Sequence, residues 1–277
     1  MRLVIQGQNL LPAHLAHLSA LAGQRDFLPL AEHAYVLPDA ESNPEISAYC
    51  DQHRIDCSFV RDEHALEDIG LVVMDMDSTL INIECIDEIA DMQGLKPQVA
   101  AITESAMRGE IEFAESLRRR VALLAGLDQS ALQRVYDERL QLNSGAEKLI
   151  GALQARRIKT LLVSGGFTFF TERLKRRVGL DYAHANVLDI AEGKLTGRVL
   201  GEVLDAQGKA DWLNRVREEL GLKAGQVVAI GDGANDLKMM AAAGISIAYH
   251  AKPVVRTQAT YAISHTGLDG ALNLLLR

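Results

Sequence analysis

The chain has 277 residues, 48% of them hydrophobic, and a formal net charge of −8. That is enough apolar material for a large core divided among more than one compact unit, while the acidic balance argues against a nucleic-acid partner, whose phosphates call for a basic face. No run of about 18 apolar residues occurs, and the opening MRLVIQGQNLLPAHL lacks the pattern of a secretory signal, so a soluble cytoplasmic protein with no membrane partner is expected.

Residues 1–68 alternate the apolar runs RLVIQ, HAYVLP and DCSFV with helical patterns near 12–22 and 44–53, which predicts a small α+β domain, and RDEHALED at 61–68 reads as its connection to the rest. The three cysteines, Cys50, Cys57 and Cys85, have neither the pairing of a disulfide framework nor the spacing of a zinc site and read as reduced thiols. From residue 71 onward the runs LVVM (71–74), TLLVS (160–164), VVAI (227–230), ISIAY (245–249) and YAIS (261–264) alternate with helical patterns. Such alternation predicts a doubly wound α/β core with a mostly parallel sheet covered on both faces. Roughly 85 residues with no convincing strand separate the first two of these runs, too many for one crossover helix, so a helical cap is expected there. The expected division is 1–68, then 69–81 with 146–277 as the core, and 82–145 as the cap. Residues 185–204 predict a β-hairpin turning at Glu192-Gly193, and the basic cluster RLKRRVG at 173–179 reads as a solvated helix face with its C-terminal turn.

In an open parallel sheet, ligands gather outside the carboxyl ends of the strands. Asp75 and Asp77 stand at the end of the first core strand. They either cap the following turn, with Ser78 and Thr79 helping, or form a reactive pair in which mutual repulsion divides the roles, one carboxylate attacking phosphorus while the other carries a proton. In the cap, a helix starting at Phe113 places Leu117, Val121 and Leu124 at about 40°, 80° and 20°, and Arg120 at about −20°, inside that apolar stripe. An arginine there needs an internal ion pair, a route to solvent or an anionic ligand. Ser164-Gly165-Gly166 reads as a strand-to-helix turn or, with its hydroxyl and bare N–H groups, as an anion cradle at a helix N-terminus. Lys209 opens a predicted helix and by itself reads as a surface residue. Asp232, Asn235 and Asp236 crowd one loop between glycines, oxygen donors of the kind that suit Mg²⁺.

Asp75-Met76-Asp77-Ser78-Thr79, Ser164-Gly165, Lys209 and Gly231-Asp232-Gly233-Ala234-Asn235-Asp236 match, in order, the four motifs of the haloacid-dehalogenase-like hydrolases. The segments NIECIDEIAD, FAESLRRRVALL, LDYAHANVL, GKLTG and GEVLDAQGKA extend the resemblance over about residues 71–265, toward the branch that acts on O-phospho-L-serine. The resemblance implies a Rossmann-like core and Mg²⁺-dependent hydrolysis to L-serine and phosphate, the last step of serine biosynthesis, through an aspartyl-phosphate on Asp75 with Asp77 as general acid and base. It implies Mg²⁺ on Asp75, on the backbone carbonyl of Asp77 and on Asp232, with Asp236 in support. It further implies Ser164, the Gly165 N–H and Lys209 on the phosphoryl oxygens with Asn235 beside them, Glu84 and Arg120 on the substrate's ammonium and carboxylate, and Met107 and Phe113 over the pocket. Phosphothreonine and phosphohomoserine are the alternative substrates. Related enzymes can carry an amino-acid-binding ACT-type domain before the core; residues 1–68 look too short for a complete one and read as ACT-like or a partial copy, with serine sensing as the alternative to a structural role and a homodimer through this domain as a candidate partner arrangement.

Overall fold

The computed structural model describes residues 1–23 and 26–276, and of Met107 the backbone alone. The N-terminal unit runs β1 (Arg2–Gln6), α1 (Pro12–Leu21), β2 (Leu28–Ala31), β3 (Ala34–Leu37), α2 (Pro44–His53) and β4 (Asp56–Val60), an antiparallel sheet in the order β2-β3-β1-β4. Proline opens both helices, where its missing N–H costs nothing, and Asn43 caps α2 by accepting the Glu45 N–H at 2.9 Å. The unit is thus a βαββαβ arrangement on one four-stranded sheet. Strand β2 escapes sequence reading because LPLA has no alternation and contains Pro29, which an edge strand tolerates. One sheet face packs against the C-terminal segment of the chain: Asp56 accepts the backbone N–H groups of Ser264 at 2.7 Å, His265 at 3.1 Å and Thr266 at 2.8 Å, together with the Thr266 hydroxyl at 2.7 Å.

The second sheet comprises β5 (Leu71–Met74), β6 (Lys159–Phe167), β7 (Tyr182–Ala191), β8 (Lys194–Leu200), β9 (Val227–Gly231), β10 (Ile245–Tyr249) and β11 (Tyr261–Ile263), ordered β11-β10-β9-β5-β6-β7-β8. All its pairs are parallel except β7 with β8. The unbroken apolar run of β5 has its reason here: Val72 and Met74 join one core cluster, Leu71 and Val73 the other, one on each face of the sheet. Helices α3 (Cys85–Asp91), α4 (Lys96–Met107), α5 (Phe113–Ala122) and α6 (Ser130–Glu138) fill the long stretch after β5, and α7 (Ala146–Ala155) leads into β6. The two chain crossings into this helical insertion are zipped together: Ile81 pairs with Leu142, and the Asn143 amide donates to the Thr79 and Ile81 carbonyls at 2.8 and 3.1 Å. The remaining helices are α8 (Thr168–Val178), α9 (Ala206–Glu219), α10 (Leu237–Ala242), α11 (Pro253–Arg256) and α12 (Gly270–Leu275).

The predicted hairpin turns at Glu192-Gly193, with φ of 50° and 76°, but it is not a separate element. Strand β7 begins at Tyr182 and first pairs in parallel with β6, so the hairpin is the outer edge of the main sheet. Its tip also meets the helical insertion: the Gly126 N–H donates to the Leu195 carbonyl and the Leu195 N–H to the Leu127 carbonyl, both at 2.8 Å.

Candidate active site

Strand β5 lies between β6 and β9, so the loops leaving these three strands share one end of the sheet. Asp75 follows β5 directly and is buried, its Oδ1 accepting the Met76 N–H at 2.7 Å. The next residues wrap in one wide turn closed by the Ile81 N–H on the Met76 carbonyl at 3.0 Å, with Ser78 in the left-handed region at φ 57°. That turn directs each polar side chain differently. Asp77 accepts the Cys85 N–H at 3.1 Å, Ser78 donates to Glu84 at 2.8 Å, and the fully buried Thr79 donates to Asp232 at 3.0 Å. Ser78 and Thr79, readable from sequence as local caps, instead bond to acids outside the turn; for Thr79 the only signal was a small hydroxyl set among apolar residues beside the acid pair.

The Ser-Gly-Gly segment departs from expectation. Strand β6 continues to Phe167 and α8 starts only at Thr168, so Ser164, Gly165 and Gly166 lie in an irregular strand end, not at a helix N-terminus. Ser164 Oγ accepts the Gly166 N–H at 2.8 Å. Both following positions are approached closely: a Cβ on Gly165 would sit 3.0 Å from the Phe113 ring, and one on Gly166 would sit 2.8 Å from Asp77 Oδ2, so a larger residue at either would displace a side chain of the site. Phe113, from α5, therefore lies against the strand end. The Met107 side chain, expected beside it, falls outside the described residues.

Lys209 is the largest surprise relative to its sequence signal. Asp205 caps α9 by accepting the Gly208 N–H at 2.9 Å, and the helix drives the Lys209 side chain inward to 1% exposure, where its ammonium pairs with Asp75 and Asp236 at 2.7 Å each. Asp236 has no exposed surface, and its other oxygen accepts the Asp232 and Gly233 N–H groups at 3.1 and 3.0 Å. Asn235 is half-buried and folds over Gly233, where a Cβ would lie 2.2 Å from its Oδ1.

The local field is dominated by excess negative charge. Burial and the neighbouring Asp236 push the Asp75 carboxyl well above the usual carboxylate range, with Lys209 opposing. Burial, then the charge of Glu84, pushes Asp77 up to about 7, and burial with Asp236 pushes Asp232 up to about 6. For Lys209, burial favours the neutral amine, but the two carboxylates outweigh it and hold the proton more tightly than in water. One oxygen from each of Asp75, Asp232 and Asp236 falls within 4.8 Å of the others. An oxygen-only trio with too little positive charge fits a hard divalent cation; the Asp77 carboxylate stands outside it.

This charge excess predicts a pH-dependent metal effect. Asp232 has a folded pKa above its ordinary 3.8, so the metal-free native state binds more protons than the unfolded chain and loses stability as pH rises through this window. The rise in thermal midpoint on adding a divalent ion should be larger at pH 7.5 than at pH 5. An equal rise at both, followed by differential scanning fluorimetry, would contradict the charge argument.

On the cap side, α5 buries Leu117 and Val121 and carries the half-buried Arg120 beside them. Its Nε donates to the Ser116 carbonyl at a long 3.4 Å, and among the described residues no carboxylate reaches ion-pair distance. Burial lowers its pKa, although Asp87, Glu84 and Asp77 all pull it back, so its charge faces the acids without being paired to one. Glu84 precedes α3, exposed, held by Ser78.

A sequence profile of the haloacid dehalogenase-like hydrolases matches residues 69–244. The chain belongs to this family. Hydrolases of this family use a divalent metal, consistent with the acidic trio. Among relatives, the chain is 53% identical over 215 residues to a phosphoserine phosphatase of Polaromonas sp., covering 76% of this chain and 91% of that protein. Its fold superposes on the unliganded crystal structure of a probable phosphoserine phosphatase from Vibrio cholerae with a TM-score of 0.87 and 40% identity, covering 99% of this chain and 86% of the other. A phosphoserine phosphatase solved as a phospho-aspartyl intermediate analogue matches with a TM-score of 0.70 and 40% identity, over 75% of this chain and 99% of that one.

Proposed function

We infer that this hydrolase cleaves O-phospho-L-serine to L-serine and phosphate. The observation that carries the choice of substrate is the cap-side pair: among the described residues the Arg120 guanidinium has no carboxylate partner and Glu84, bonded to the Ser78 hydroxyl, has no cationic one, and both lie beside a cluster suited to phosphoryl transfer. One positive and one negative group complement the two charges of an amino acid. Asp75 attacks phosphorus while Asp77 gives its proton to the serine oxygen; Asp77 then takes a proton from the water that cleaves the aspartyl-phosphate. A carboxyl raised to about 7 can serve in both protonation states near neutrality.

Lys209, the Ser164 hydroxyl and the Gly165 N–H meet the phosphoryl oxygens, with Asn235 at their side. A bound Mg²⁺, held by Asp75, Asp232 and the Asp77 carbonyl with Asp236 behind, would supply further positive charge to those oxygens. Phe113 and Met107 belong to the part of the cap that excludes water. The same reading divides the chain into residues 1–68, a core of 69–81 with 146–277, and a cap of 82–145. It assigns the enzyme to the last step of serine formation in the cytoplasm, with no nucleic-acid or membrane partner; among the described residues no helix is long and apolar enough to cross a membrane. A homodimer through the N-terminal unit would have to use its helices or the edge strand β2, where Leu11 and Leu28 are exposed, because one sheet face is already packed on the rest of the chain.

Phosphate release from phosphoserine, phosphothreonine and p-nitrophenyl phosphate, with and without Mg²⁺, tests this reading. Arg120→Ala should lower kcat/KM for phosphoserine by about 10- to 100-fold, the worth of a lost charged hydrogen bond, while changing p-nitrophenyl phosphate turnover by less than about threefold. Equal losses on both substrates would remove Arg120 from carboxylate recognition.

A further inference from the structure

Asn186 lies in β7, buried to 3% exposure, where a polar side chain must find partners. Its Nδ2 donates to the Gly165 carbonyl at 2.8 Å, and its Oδ1 accepts the Leu204 N–H at 2.7 Å. These two contacts belong to the two segments that bring Ser164 and Lys209 to the site. The first exists because the β6–β7 ladder breaks there: Val163 pairs with His184 and the next pair is Phe167 with Asn186, so four residues of β6 span two of β7. The break leaves the Gly165 carbonyl without a ladder partner, and the Asn186 amide takes that place.

A planar peptide makes this bond matter beyond its own atoms. Holding the Gly165 carbonyl orients the whole Gly165–Gly166 peptide, hence the Gly166 N–H, which donates to Ser164 Oγ at 2.8 Å. With that lone pair engaged, the Ser164 hydroxyl proton is directed outward as a donor. Two successive glycines have little intrinsic preference for this orientation, so the restraint must come from outside the segment. On the other side, the Leu204 N–H lies one residue before Asp205, the cap that starts α9 and sets the turn from which Lys209 projects. The primary amide carries a donor and an acceptor on separate atoms, one for each segment; an ionised aspartate cannot donate to Gly165, and a leucine can do neither.

We propose that Asn186 is a positioning residue for phosphoryl binding, holding the Ser164-Gly165-Gly166 segment and the segment that carries Lys209 in one register. This rests on the phosphatase reading for the identity of the site, but its test does not need the substrate to be phosphoserine. Inorganic phosphate affinity is measured by calorimetry on the full-length protein with its divalent metal, and L-serine affinity by the same method. Asn186→Asp keeps the acceptor toward Leu204 and loses the donor to Gly165. It should weaken phosphate binding about tenfold or more and lower kcat by about 10- to 100-fold, with L-serine affinity within about twofold of wild type, because Glu84 and Arg120 are held by other elements. Asn186→Ser, which removes both bonds without adding a charge, should weaken phosphate binding in the same direction and covers the case in which the aspartate variant does not fold. Phosphate affinity unchanged within about twofold, or phosphate and L-serine affinities falling by the same factor, would overturn the proposal. A wild-type protein that binds phosphate but does not hydrolyse phosphoserine would refute the substrate reading alone.

Discussion

Asp75→Asn should reduce metal-dependent phosphate release by on the order of 10⁴-fold or more, because it removes the atom on which the covalent intermediate forms and with it the division of one difficult displacement into two. The fold should survive. An asparagine oxygen can still accept the Met76 N–H that Asp75 accepts at 2.7 Å. The exchange also relieves repulsion rather than creating it: burial and Asp236 already oppose the charge on Asp75, and Lys209 keeps Asp236 as a partner at 2.7 Å. Metal-free Asp75→Asn should therefore melt at or slightly above the wild-type temperature while binding divalent metal more weakly. Release of phosphate at more than about a tenth of the wild-type rate, measured with metal-saturated enzyme, would exclude Asp75 as the nucleophile. Loss of activity accompanied by loss of fold would instead make it a structural carboxylate.

Lys209→Met should have the largest effect on stability. Methionine matches the length of the aliphatic stem, so the change mainly removes the charge. It leaves Asp75 and Asp236, both buried, without the ammonium that now sits 2.7 Å from each. Stripping one partner from a buried ion pair costs about 3–5 kcal/mol, a loss to be read from denaturant midpoints without metal at pH 7.5. The sign with pH is determined: Asp75 already titrates high through burial, and Lys209 is what opposes that rise; with the ammonium gone the Asp75 carboxyl titrates higher still, so the deficit should be greatest above neutrality and shrink as pH falls toward the ordinary carboxylate range. Adding Asp236→Asn should recover part of the loss, and a divalent ion another part, because each lowers the same uncompensated charge. Activity should fall by about 10³-fold even where stability is restored, since a donor to the phosphoryl oxygens is missing. A stability loss below about 1 kcal/mol would mean that the buried acids are neutral in the native protein and that the paired description is wrong.

How much of this was readable in the chain differs from residue to residue. The alternation of apolar runs with helical patterns predicted the parallel core, and the 85-residue gap predicted the helical insertion, because strand and helix periods are local properties of the chain. Asp75 and Asp232 could be placed at strand ends for the same reason. Strand β2 is not legible because Pro29 and the lack of alternation remove the local signal that edge pairing replaces. Ser164-Gly165-Gly166 reads as the start of a helix because strand-to-helix turns are often glycine-rich; that β6 runs on through a ladder shift depends on its partner β7, whose first residues, Tyr182, Ala183 and His184, carry no strand signal of their own.

The sequence by itself determined the kinds of chemical group available and the sheet end at which they gather: carboxylates after β5 and β9, a hydroxyl and glycines after β6, an arginine inside an apolar helical stripe. Only the tertiary structure decided which groups pair. Lys209 looks like a surface residue until α9 buries it between Asp75 and Asp236, and Asn186 looks like an ordinary polar strand residue until the broken ladder presents it with the Gly165 carbonyl. The physical reason is that burial and hydrogen bonding depend on distances between atoms, and the partners here are far apart along the chain: 27 residues between Lys209 and Asp236, 21 between Asn186 and Gly165. Periodicity along a strand or helix carries no record of such separations; the packing of the sheet and its helices creates the contacts and, with them, the charge balance of the site.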